Sequence, residues 1–232
     1  MGLGRHTAEL YVRDDELVAS VSSFFKTGLA MGEPGVIVAT PTHRRAIRDA
    51  VGSELLEADA EETLAQVLVN GKPGAVAFER VIGALVDRAN GPVRVYGEMV
   101  SLLCERDEVA SAMTLEELWN DLLRTRPVTL HCGYQLDVFD LATQTGPLPH
   151  ICRLHTHVDP AHDEARFTSA VDRAMTTVLG EARTEDVHYI VSRDRKPRVP
   201  EAQEALRWLS LASPGLAANV LEVARARYAA AA

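Results

Sequence analysis

Val93-Arg94-Val95-Tyr96-Gly97-Glu98-Met99-Val100-Ser101-Leu102-Leu103 is a short apolar strand that turns at a Gly-Glu corner into an apolar helix. Glycine at a strand end lets the backbone turn sharply. It also places Glu98 at the opening of the helix, where the macrodipole favours a carboxylate that can face a cleft. A second helix follows, Leu115-Glu116-Glu117-Leu118-Trp119-Asn120-Asp121-Leu122. This stretch holds no nucleophile elbow, phosphate loop or set of metal ligands, so it reads as a corner for recognition rather than for catalysis.

Outward from this corner, strand and helix signals alternate. His6 to Val12 reads as a strand, and Asp14 or Asp15 is placed to cap a helix carrying Leu17, Val21, Phe24 or Phe25 and Leu29 at helical spacing. Gly35-Val36-Ile37-Val38-Ala39-Thr40 is the compact apolar run of a fully buried strand, and Pro41 suits the first turn of the next helix. A weak strand is expected at Glu54 to Ala58, then Asp59 at a strand-to-helix corner, a turn at Gly71-Lys72-Pro73-Gly74, and a helix with Phe78, Ile82, Leu85 and Val86. Val128 to Tyr134 is the last clear strand. Four or five strands separated mostly by helices imply an α/β fold, a mostly parallel sheet with helices on both faces. Ligands of such sheets bind beyond the carboxyl ends of the strands. The residues there are Arg13 and Asp14, Thr40, Asp59, Gly97 and Glu98, and Tyr134 and Gln135.

Beyond about residue 160 the pattern is helical, with stripes at Phe167, Val171, Ala174 and Met175, at Ala202, Ala205, Leu206 and Leu209, and at Leu216, Val220, Val223 and Ala224. Val187 to Val191 reads equally as an extra strand or a buried loop. The expected organisation is a domain over 1–158 and a C-terminal α-helical appendage over 159–232. The stripes must bury themselves against the core, each other or a second subunit.

The 232 residues, 47% hydrophobic and 25% charged, are enough to bury a core. Their 24 Lys and Arg against 33 Asp and Glu, a formal charge of −9, argue against a nucleic-acid surface. The one basic run, Arg193, Arg195, Lys196 and Arg198, reads as a solvated turn. No secretory leader, membrane span or myristoylation pattern is visible, so a cytoplasmic location is expected. Three widely spaced cysteines, Cys104, Cys132 and Cys152, exclude a disulfide framework and a CxxC zinc site.

In order along the chain, His6 and Tyr11, Phe24 to Glu33, Asp59 to Leu64, Tyr96 to Val100, Leu115 to Asn120, Cys132-Gly133-Tyr134, Ile151-Cys152 and His155-Thr156-His157-Val158 resemble the MEDS family, the methanogen and methylotroph DcmR-type sensory domain. The resemblance implies a fold related to RecA and KaiC and the sensing of small one-carbon or hydrocarbon-like molecules. Members are usually joined to a histidine kinase or a DNA-binding helix-turn-helix, which ties them to transcription regulation. This chain departs from that pattern. Its portion after residue 160 carries neither a kinase nucleotide signature nor a convincing recognition helix, which points to a separate regulatory partner or a homodimer through the C-terminal helices.

The rival chemistries are weaker. ATP hydrolysis needs a phosphate-cradling loop, but Arg13-Asp14-Asp15-Glu16 would repel phosphate and no GxxxxGK[ST] is present. A metal-dependent hydrolase would need His155 and His157 to converge with a carboxylate. Cys132 has His131 beside it, but adjacent strand residues point to opposite faces, so His131 cannot be its base. Trp119 reads as core or pocket wall, and Asn120 as a local cap. The expectation is a non-catalytic sensory domain without a cofactor, its ligand pocket formed by Glu98, Tyr11, Tyr134, His155, Cys132 and Trp119. The alternative is a protein-interaction regulator whose ligand site has degenerated.

Overall fold

The computed structural model describes residues 5–193 and 199–230. The basic residues Arg195, Lys196 and Arg198, and the first four residues, lie outside this set. The chain separates into two compact units, one ending at Gln135 and one beginning at Leu136.

The first unit is built on five parallel strands: β1 (His6–Tyr11), β2 (Gly35–Ala39), β3 (Leu56–Asp59), β4 (Val93–Gly97) and β5 (Val128–Gln135). Their order is β3-β2-β4-β5-β1, with every neighbouring pair parallel. All five residues of β2 are buried, as a strand covered on both faces requires. Helices α1 (Asp14–Ala30) and α2 (Pro41–Val51) cover one face. Their Leu17, Val21, Phe25, Ile47 and Val51 close over Tyr11, Ile37, Ala39 and Tyr96. The connections on the other face supply α3 (Ala60–Val67), α4 (75–87), α5 (Met99–Glu105) and α6 (Val109–Thr125). There Trp119 of α6 meets Phe78 of α4 edge to face at 5.1 Å. A helix on each face satisfies the crossover geometry of parallel strands.

Several local expectations shift. The N-cap of α1 is Arg13, not Asp14 or Asp15; those two and Glu16 occupy the first turn, where their charge faces the free backbone N–H groups. The weak third strand lies at Leu56–Asp59, and Asp59 caps α3 through a bond from the Glu62 N–H at 3.1 Å. The turn expected at 71–74 lies instead at Asn70-Gly71, both at positive φ, and joins a two-stranded hairpin of Leu68–Val69 with Lys72–Pro73.

The second unit contains α7 (Leu141–Thr145), α8 (Pro147–Leu154), a short strand β6 (His157–Asp159), α9 (Glu164–Leu179), α10 (Glu181–Arg193), α11 (Glu201–Ala212) and α12 (Pro214–Ala230). Val187 to Val191 is part of α10: Thr184, Val187 and Val191 fall on one buried stripe at helical spacing. The stripes of α9 and α12 are buried within the unit, Phe167, Val171, Ala174 and Met175 alongside Ala217, Val220, Leu221 and Ala224. Gln144 of α7 and Gln203 of α11, both fully buried, bond each other at 2.8 Å, which satisfies two amides that burial would otherwise leave costly.

Candidate functional site

Successive residues of a strand point to opposite faces, and the parallel register extends that rule across the sheet. On the α1/α2 face stand Thr7, Glu9 and Tyr11 of β1, His131 of β5 and Tyr96 of β4. On the α6 face stand His6 of β1 with Cys132 and Tyr134 of β5. The expected ligand group is therefore divided. Tyr11 and Glu98 belong to one face, and Cys132, Tyr134 and Trp119 to the other. His155 lies in the second unit, where it caps the end of α8 and bonds the Ile151 carbonyl at 2.8 Å. His157 bonds Asp159 at 2.8 Å and groups with Asp159 and Glu164 as potential ligands, so the two histidines of the hydrolase reading do not share one cluster.

The first constellation lies at the carboxyl edge. The chain leaves β2 for α2 on one face and leaves the neighbouring β4 for α5 on the other. Adjacent strands whose connections part in this way open a crevice at a topological switch point. Glu98, 2% exposed, follows the last residue of β4 at this switch point. It does not cap its own helix α5 with its side chain. Instead its carboxylate accepts the Thr40 N–H at 2.9 Å, the His43 Nδ1–H at 2.6 Å and the Tyr96 hydroxyl at 3.0 Å. A buried charge must be paired and hydrogen-bonded, and these three donors come from the ends of β2, α2 and β4. His43 Nε2 reaches the exposed Asp14 at 3.5 Å, and its ring meets Tyr11 edge-on at 6.1 Å. The line Asp14–His43–Glu98 thus runs from solvent to a buried carboxylate. Gly133 holds it together from the neighbouring strand, since a Cβ there would collide with the Tyr96 hydroxyl.

Both nitrogens of His43 face carboxylates. The bond to Glu98 raises its pKa above the usual 6.5, and burial opposes that rise. A histidine NMR titration is expected to place His43 above 6.5. In Glu98→Gln the opposing burial remains while the main cause of the rise is gone, so the midpoint should fall. The linkage has a definite sign. A raised folded pKa gives a stabilisation that is complete below the unfolded value and vanishes as pH climbs through the folded one. An unmoved midpoint in the variant would dissociate His43 from Glu98.

The second constellation is on the α6 face. His6 Nε2 lies 3.1 Å from Glu116 Oε2 and 3.4 Å from Cys132 Sγ, and His6 Nδ1 is 3.0 Å from Asn120 Oδ1. Tyr134 donates its hydroxyl to Glu116 Oε1. Burial, followed by the Glu116 charge, pushes the Cys132 thiol well up, and Cys104 is raised to about 12 for the same reasons. Neither is a ready thiolate nucleophile. His131 faces away from Cys132, as the alternation requires, stacking on Phe24 at 5.3 Å and bonding Thr7 at 2.8 Å. Sequence reasoning assigned no part to His43, and named His6 and Glu116 only as members of a motif run. It also read Asn120 as a local cap, whereas its side chain meets His6 of β1, more than a hundred residues away in sequence. The signal for His6 was available: parallel pairing of β1 with β5 puts its even-numbered residues on the face of Cys132.

The parallel α/β unit thus carries a buried carboxylate at its switch point and three acidic residues in the first turn of the helix that follows β1. The chain belongs to the MEDS family, the MEthanogen/methylotroph, DcmR Sensory domain, whose model matches residues 5–156. The family is one of sensory domains. No curated protein and no solved structure matches the chain. No helix among the described residues is long and apolar enough to cross a membrane.

Proposed function

We propose that this protein is a signal-transducing sensory domain of the cytoplasm, which recognises a small ligand at the crevice between β2 and β4. Glu98, His43 and Tyr11 supply the recognition, and a separate protein partner reads the result. The observation that carries this reading is the Glu98 carboxylate, buried at the switch point and held by donors from three elements. A ligand with one hydrogen-bonding head and a small apolar body suits the place. Its head competes for His43 or Glu98, and its body lies against the Tyr11 ring. One-carbon alcohols and amines, and short hydrocarbon derivatives, have that form. Exchange of the His43–Glu98 bond for a ligand bond gives the differential affinity that any population shift needs.

The test is a thermal-shift screen of small alcohols, amines, halogenated hydrocarbons and nucleotides on the full chain and on Glu98→Gln. A true ligand at a hundredfold excess over its Kd adds about 2.7 kcal/mol to the native state by mass action. The expected result is a compound that raises the wild-type Tm and leaves that of Glu98→Gln where it was. An equal rise in both proteins, or no rise with any compound, would sink the reading.

A further inference from the structure

The α6 face carries a group of side chains that the sensory reading does not use. His6 Nε2, Glu116 Oε2 and Cys132 Sγ belong to residues 1%, 0% and 0% exposed. Their mutual separations are 3.1 Å for N···O, 3.4 Å for N···S and 3.9 Å for O···S. A tetrahedral zinc ion bonds nitrogen and oxygen at about 2.0–2.2 Å and sulfur at about 2.3 Å, which sets the edges of its ligand tetrahedron at roughly 3.3 Å between N and O and roughly 3.5 Å to sulfur. The three atoms span one face of such a tetrahedron to within a few tenths of an ångström.

The surrounding bonds are also those of a metal site. A histidine that binds metal through one nitrogen donates its other N–H to an oxygen that fixes the ring; here Asn120 Oδ1 lies 3.0 Å from His6 Nδ1. A ligating carboxylate is hydrogen-bonded at its second oxygen; here the Tyr134 hydroxyl bonds Glu116 Oε1. All five residues come from three elements, β1, α6 and β5, so the sheet register and a single helix face fix the donor positions. The donor set of one sulfur, one nitrogen and one oxygen selects a borderline first-row ion over magnesium or calcium, which take oxygen alone.

We infer that His6, Glu116 and Cys132 form a binding site for a zinc-type divalent cation, with Asn120 and Tyr134 orienting the ligands. The site stands apart from the Glu98 crevice and does not depend on a ligand there. Three donors define one face of the coordination polyhedron, and this unit does not fix the fourth.

The test is cobalt titration of the full chain after chelator treatment. One equivalent of Co²⁺ should produce a thiolate-to-cobalt charge-transfer band in the near ultraviolet and the intense visible absorption of four-coordination. Zn²⁺ should displace it. Cys132→Ser should lose the ultraviolet band, while Cys104→Ser and Cys152→Ser retain it. Asn120→Ala should keep the band and weaken affinity by roughly 10–100-fold. No band in the wild type, a band that survives Cys132→Ser, or one lost with Cys104 would overturn the assignment. If Cys132→Ser loses its far-ultraviolet dichroism, X-ray absorption at the zinc edge of the loaded wild type decides instead. One sulfur among nitrogen and oxygen neighbours supports the site, and an all-nitrogen-and-oxygen shell or two or more sulfurs refutes it.

Discussion

Glu98→Leu is expected to lower the unfolding free energy by about 3–5 kcal/mol, the cost of removing one partner from a buried ion pair. Leucine fits the volume of the site but accepts no hydrogen bond. The Thr40 N–H, the His43 imidazole and the Tyr96 hydroxyl, which converge on Glu98 at 2.6–3.0 Å, would all lose their acceptor at once. His43, itself only 8% exposed, would then release its proton rather than remain charged. Urea denaturation at pH 6 and pH 8 measures the loss and its origin. Wild-type stability carries the His43–Glu98 contribution fully at low pH and sheds it as pH passes the raised His43 value, whereas Glu98→Leu has no such contribution to shed. The gap between the two proteins should therefore narrow at the higher pH. A loss below about 1 kcal/mol, the worth of a single neutral hydrogen bond, would mean that water already serves these donors and that the carboxylate is not buried in solution. A gap that widens with pH would contradict the raised His43 value.

The corner at Gly97-Glu98 was legible because its signal is local: a β-branched run, a glycine and a carboxylate in consecutive positions. So were the strand at Gly35–Ala39 and the proline that opens α2, for the same reason. His43 was not legible. Its place in the line from Asp14 to Glu98 depends on α2 folding back beside α1, and no spacing within α2 reports that. Asn120 was misread because a polar residue on an amphipathic helix most often bonds nearby, and only the pairing of β1 with β5 brings His6 opposite it. Val187 to Val191 was ambiguous at heart, since a short apolar run does not distinguish a strand from a buried helix segment. The division of Tyr11 and Glu98 from Cys132 and Tyr134 follows from strand alternation combined with the register of β1, β4 and β5, and that register is not written in any one strand.

That division gives the last prediction its force. Trp119, 1% exposed, heads the large buried side chains, and Trp119→Ala should cost about 3–5 kcal/mol through lost burial and the cavity left beside Phe78. Trp119→Phe, which keeps an aromatic edge partner for Phe78, should cost far less. The sharper measurement is a double-mutant cycle with Glu98→Gln. Trp119 packs toward Gly97 from the α6 side, while Glu98 spends its carboxylate on the α2 side. Groups that share no partner add to within about 0.5 kcal/mol. Near-additivity in the cycle would mean that the two faces of the sheet are energetically separate, so that a ligand at the crevice and a cation on the α6 face can each bind without disturbing the other. A coupling above about 1 kcal/mol would show the Gly97 corner transmitting strain between the faces. Crevice occupancy would then change cation affinity, and by linkage the cation would change ligand affinity by the same factor.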